Sequence, residues 1–103
     1  MRLILTNAPP DAAASIARTL VDARLVACVN LLPITSVFRW KGEVQTEVEV
    51  TLLCKVGADA VERCVTRLRE LHPYELPEIL VLPVEVEASL SAYVAWVRAE
   101  TSE

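Results

Sequence analysis

His72 is the only histidine in the chain and stands in the run His72-Pro73-Tyr74-Glu75-Leu76-Pro77-Glu78. An imidazole in such a place can ligate a metal, shuttle a proton or cap the end of a helix. Cys28, Cys54 and Cys64 lie far apart without a C-x-x-C pair, a pattern that argues against both a self-contained structural zinc site and a disulfide framework and predicts three reduced thiols. Cys28, in Ala27-Cys28-Val29-Asn30, reads either as a small hydrophobe within a strand or as a soft thiolate ligand for copper or zinc, paired with His72 or with a carboxylate from another chain. Cys54 and Cys64 fall on apolar stripes and read as core. Glu47, Glu49, Glu75 and Glu78, with Lys55, can bind a hard cation where they converge in an oligomer cleft, or form a solvated rim. Phe38, Trp40, Tyr93 and Trp96 can stack on a flat ligand or anchor packing. With glycine only at positions 42 and 57 there is no phosphate-cradling loop. Local sequence places no serine or cysteine beside His72, so acyl transfer lacks a nucleophile paired with that base. The expectation is a binding protein and not an enzyme.

These side chains need a scaffold, and 103 residues is the size of one compact domain spanning 1–103. A hydrophobic share of 53% supplies a core and argues against disorder. Ten Lys and Arg against 14 Asp and Glu give a net charge of −4, which provides no basic footprint for a phosphate backbone. Nucleic acid is therefore excluded as a partner. No apolar stretch approaches the ~20 residues that cross a bilayer, and residues 2–6 are too short for the core of a signal peptide. The expected protein is soluble and cytoplasmic, with no membrane partner.

Periodicity predicts the elements. Residues 2–6 form an aliphatic strand, and Pro9-Pro10 open a helix with Ala13, Ile16, Ala17 and Leu20 on one face. Residues 25–32 and 35–40 read as one long strand with a bend or bulge at Pro33. Lys41-Gly42-Glu43 turns the chain, and residues 44–55 return as a strand with a wet outer end and a buried base. Asp59 and Glu62 stand at capping-box spacing before a helix carrying Val61, Cys64, Val65, Leu68 and Leu71. His72-Pro73 ends it. Residues 78–84 form a last strand. A helix from about Ser89 then places Leu90, Tyr93, Val94 and Val97 on one side with Trp96 beside them, ahead of the polar tail Thr101-Ser102-Glu103.

The resulting order is the α+β, ferredoxin-like βαββαβ sandwich followed by a C-terminal helix. Two crossover helices cover one sheet face. On the other face, residues 25–32, 52–54 and 79–84 are apolar apart from Asn30, and the terminal helix covers only part of it. Such a face predicts a homo-oligomer.

Three segments carry a resemblance: Leu25-Val26-Ala27-Cys28-Val29-Asn30, Ser36-Val37-Phe38-Arg39-Trp40-Lys41-Gly42 and His72-Pro73-Tyr74-Glu75-Leu76-Pro77-Glu78-Ile79. Together with Glu49, the run Leu52-Leu53-Cys54-Lys55, the strand end Leu82-Pro83-Val84 and Tyr93-Val94-Ala95-Trp96, they resemble the CutA divalent-ion tolerance family over nearly the whole chain. The resemblance implies a homotrimer, a cytoplasmic location and a link to tolerance of copper and other divalent cations. It carries a metal role to Cys28, His72 and Glu75. No cofactor is required by it. The family is similar in architecture to the trimeric PII signalling proteins, which implies an alternative: a small-ligand sensor with Trp40, Glu49, Lys55, Tyr93 and Trp96 around an intersubunit cleft. A ligand-free adaptor trimer is the third reading. Phe38 stands where the family commonly has tyrosine, and Val48 where an acidic residue often precedes the equivalent of Glu49, which weakens any cation site needing that second carboxylate.

Overall fold

Seven residues, Arg2–Ala8, form strand β1 inside a four-stranded antiparallel sheet of order β2-β3-β1-β4, with β2 at Cys28–Trp40, β3 at Glu43–Val56 and β4 at Ile79–Pro83. Helices α1 (Pro10–Asp22), α2 (Val61–Leu71) and α3 (Ser91–Glu100) complete the computed structural model, which describes residues 1–102; Glu103, the last residue of the polar tail, lies outside the described residues. This is the expected α+β, ferredoxin-like order.

Alternation sorts the sheet residues. Ile4 and Ala8 of β1 and Leu52, Cys54 and Val56 of β3 point to one face and are fully buried, joining Ile16 and Leu20 of α1 and Cys64 and Leu68 of α2 in one cluster. The opposite face carries Leu3 and Leu5, paired with Leu82 and Leu80 of β4, and Leu53 of β3 across from Leu5. Leu80 is 53% exposed and Leu82 39%. Helix α3 shelters only one end of this face, where the Tyr93 hydroxyl bonds Cys28 and the buried Thr101 accepts the Gly57 N–H at 3.1 Å.

Local chemistry sets the boundaries. Pro9 caps α1 in an extended conformation and Pro10 takes its first turn, where a missing N–H costs nothing. The helix ends in a Schellman arrangement: the Leu25 N–H reaches Leu20 O, the Arg24 N–H reaches Val21 O, and Arg24 adopts φ 59°. Lys41 and Gly42, at φ 51° and 84°, make the two-residue hairpin turn whose twist matches the strands it joins.

Five sequence expectations are corrected. There is no bulge at Pro33: the register runs unbroken with Pro33 opposite Val50, because β2 is an edge strand that tolerates a residue without an N–H. The capping box does not form: residues Ala58–Ala60 make a 3-10 turn, Ala60 becomes the N-cap of α2 and no side chain caps it. The final helix starts at Ser91, since Val86–Ala88 form another 3-10 turn and the Ser89 hydroxyl donates to Glu85 O. Its apolar stripe also splits, with Val94 and Val97 buried while Leu90 is 74% exposed. At the hairpin's outer end, the exposed side chains include Val37, Val44 and Val48, so that end is not uniformly polar.

Candidate functional site

β3 pairs with β1 only from Val50 to Val56, while the β2–β3 hairpin continues through residues 43–49. The overhang leaves a step above the end of β1. Residues 72–78 fold back into that step, because the extended backbone of His72 at φ −75°, ψ 130° ends α2, as expected for a residue before proline.

His72, 7% exposed, fastens the segment. Its Nδ1 accepts the Tyr74 N–H at 3.3 Å, so the ring proton sits on Nε2, which donates to the Asn7 carbonyl at 2.9 Å. Both ring nitrogens thus serve the backbone. The Tyr74 ring lies 4.9 Å from the imidazole, and its hydroxyl donates to Glu49 Oε2 at 2.7 Å. Burial raises the Tyr74 hydroxyl well above its ordinary value, and the carboxylates of Glu49, Glu47 and Asp11 add to the rise. Beside them Asn7 accepts from the Thr51 hydroxyl at 2.6 Å and donates to Glu78 at 3.2 Å. Outside this knot a cavity of about 570 Å³ is lined by Phe38, Trp40, Glu47, Tyr74 and Glu75 among others. At its edge Lys41 stands 5.6 Å over the Trp40 ring and 3.9 Å from the Glu75 carboxylate.

A second cluster occupies the far end of the sheet. The Lys55 ammonium donates to Cys28 Sγ at 3.8 Å. The Tyr93 hydroxyl is raised by burial first and then by Cys28, its hydrogen-bond partner, and its ring lies 5.5 Å from Trp96. Cys28 is the partly exposed thiol, whereas Cys54 and Cys64 are buried. Burial pushes Cys54 up to about 12, with Cys64 the next cause, and pushes Cys64 to about 11.

The sequence candidates therefore divide. His72, Glu75, Glu49 and Trp40 belong to the overhang, and Cys28, Lys55, Tyr93 and Trp96 to the α3 end. Cys28 is in register with Lys55 and Leu3, while His72 holds Asn7. Four residue steps along β1 separate these rows, roughly 13 Å. No group of three His, Cys, Asp or Glu among the described residues is placed to hold a metal ion. Glu49, which the sequence reads as a cation ligand, a solvated rim residue or part of an intersubunit cleft, is 6% exposed. The Tyr74–Glu49 and Asn7–Thr51–Glu78 links escape sequence reasoning, since they depend on strand register and on the turn-back after α2.

The chain is similar along its length to proteins of one kind. It is 40% identical over 100 residues to the divalent-cation tolerance protein CutA of Thermus thermophilus, covering 96% of this chain and 95% of that protein. It is 42% identical over 90 residues to the protein CutA of Homo sapiens, covering 86% of this chain but 49% of that longer one. Among solved structures, the apo form of the PII-like protein CutA from Nostoc sp. PCC 7120 superposes with a TM-score of 0.97 at 51% identity, covering 99% of this chain and 98% of that one. The Thermus thermophilus divalent cation tolerance protein gives 0.91 at 39% identity, covering 99% and 100%. With the family model of the CutA1 divalent ion tolerance protein matching residues 2–100, the chain belongs to the CutA1 family.

Proposed function

We propose that the chain acts as one domain in a cytoplasmic homotrimer serving divalent-cation tolerance, copper among the cations, and that it binds metal between copies without catalysing a reaction. The observation that carries the reading is the separation of Cys28 from His72 and Glu75 across a sheet whose leucine face its own helices leave open. One copy cannot bring a thiolate, an imidazole and a carboxylate to one ion. Neighbouring copies can. Soft-metal ligation falls first to Cys28, because the other two thiols are buried and held protonated. Glu75 is exposed and paired only loosely with Lys41, while a metal at His72 must displace a backbone bond.

Light scattering of the purified protein tests the assembly, with a mass of three chains expected. Calorimetric titration with Cu²⁺ tests the ligands: Cys28→Ser should weaken binding by about tenfold or more, and His72→Gln and Glu75→Gln by less. Unchanged Cu²⁺ binding in Cys28→Ser removes the thiolate from the reading.

The cavity at the overhang supports a second reading, a PII-like small-ligand sensor. Here Trp40 and Glu49 of one copy face Lys55, Tyr93 and Trp96 of the next across a shared cleft. A thermal-shift screen with soluble metabolites tests it, a stabilising compound being the expected result.

A further inference from the structure

Glu49 poses a charge problem. Its side chain is more than nine-tenths buried, and its hydrogen bond from the Tyr74 hydroxyl is neutral. Within one copy, and among the described residues, it takes part in no ion pair. A buried carboxylate without a cation is costly. Glu47 and Glu75 line the adjoining cavity, and the Lys41 ammonium lies 3.9 Å from Glu75.

Lys41 is a separate observation. Its backbone sits at φ 51°, a conformation more comfortable for asparagine or glycine. Its ammonium nevertheless reaches over the Trp40 ring and toward Glu75. The chain thus already presents a cation to an aromatic face and a carboxylate at the cavity mouth, the arrangement by which proteins hold ammonium and guanidinium groups. A hydrated divalent ion gains nothing from Phe38 and Trp40 and requires a fuller oxygen shell.

We infer that this cavity binds a small organic cation, an alkylammonium or alkylguanidinium compound. The charge lies between Trp40 and Glu75, and the carbon chain lies against Phe38 and Tyr74. Lys41 is then a tethered competitor that the ligand displaces. The inference rests on the small-ligand reading of the overhang and names its ligand class.

Calorimetry on the assembled protein tests it with n-butylguanidinium chloride, n-butylammonium chloride and the neutral isostere n-butylurea at matched ionic strength. One or both cations should bind about tenfold more tightly than n-butylurea, and Trp40→Leu or Glu75→Gln should remove about that factor. Lys41→Met should strengthen cation binding about threefold or more by removing the competitor. Equal binding of n-butylurea overturns the cation class while leaving a small-ligand site standing. Cation binding that Lys41→Met leaves unchanged or weakens overturns the competitor role. Absence of binding by both cations, in protein whose mass and melting temperature are unaltered, overturns the whole inference, and the metabolite screen then decides the broader reading separately.

Discussion

Arg24 stands at φ 59°, where a side chain costs about 1–2 kcal/mol and glycine costs little. Its guanidinium explains the choice: Nη2 donates to Ala99 O at 3.1 Å and lies 3.8 Å from Glu100, tying the end of α1 to the end of α3. Arg24→Ala keeps the strain and loses the tie, whereas Arg24→Gly loses the tie but relieves the strain. Urea titration should therefore find the alanine variant less stable than the glycine variant by about 1 kcal/mol. The thiols carry a prediction in pH. Cys54 and Cys64 are pushed up from 9.0 to about 12 and about 11, so between those values the unfolded chain loses protons that the folded chain keeps. Their contribution is complete below pH 9 and fades as pH rises through 11 to 12. The urea midpoint should fall with pH above 9, and more shallowly in a Cys54→Ala, Cys64→Ala double variant. That these two cysteines are core was legible from their place on apolar stripes. The burial of Glu49 was not, because its cover, Tyr74, stands 25 residues further on and arrives only through the fold-back after α2.

Among the elements, α3 depends most on one close approach. A Cβ on Gly57 would meet Thr101 Oγ1 at 2.5 Å, and that oxygen already accepts the Gly57 N–H and donates to Val97 O. Gly57→Ala should cost about 1–3 kcal/mol. Combining it with Thr101→Ala should cost less than the sum of the separate effects, since the clash disappears with the hydroxyl; thermal melts of the four proteins measure the difference. Helices and strands were readable where a single period dominated, as in Ala13, Ile16, Ala17 and Leu20. Reading failed at the junctions. Asp59 and Glu62 match a capping box in spacing, but the 3-10 turn moves the helix start to a frame in which Ala60 is the cap. Pro33 suggests a break only until the strand's edge position is known.

At the scale of the whole molecule, the uncovered leucines set the behaviour. Leu5, Leu53 and Leu80 form one row across β1, β3 and β4, on a face whose large side chains include the half-exposed Leu80 and Leu82. Burying such a row stabilises association by about 25 cal/mol per Å² of apolar surface removed from water. Leu80→Lys should convert the proposed trimer to monomers, read as a threefold drop in mass by light scattering, without unfolding the subunit core. The sequence showed this surplus of apolar sheet because β2, β3 and β4 lack polar alternation at their bases. The division of the candidate site between the two ends of the sheet was hidden, since it follows from which strands pair and in what register.

The overhang of the hairpin makes the subunit its own reporter. Along residues 43–49, β3 has β2 on one side and no β1 partner on the other, so the amides that point away from β2 have no strand partner in a lone chain. If a neighbouring copy settles on that margin, those amides slow their exchange. Peptides covering residues 43–49 then distinguish separate subunits from joined ones in the same tube, and do so while metal or amine is being added.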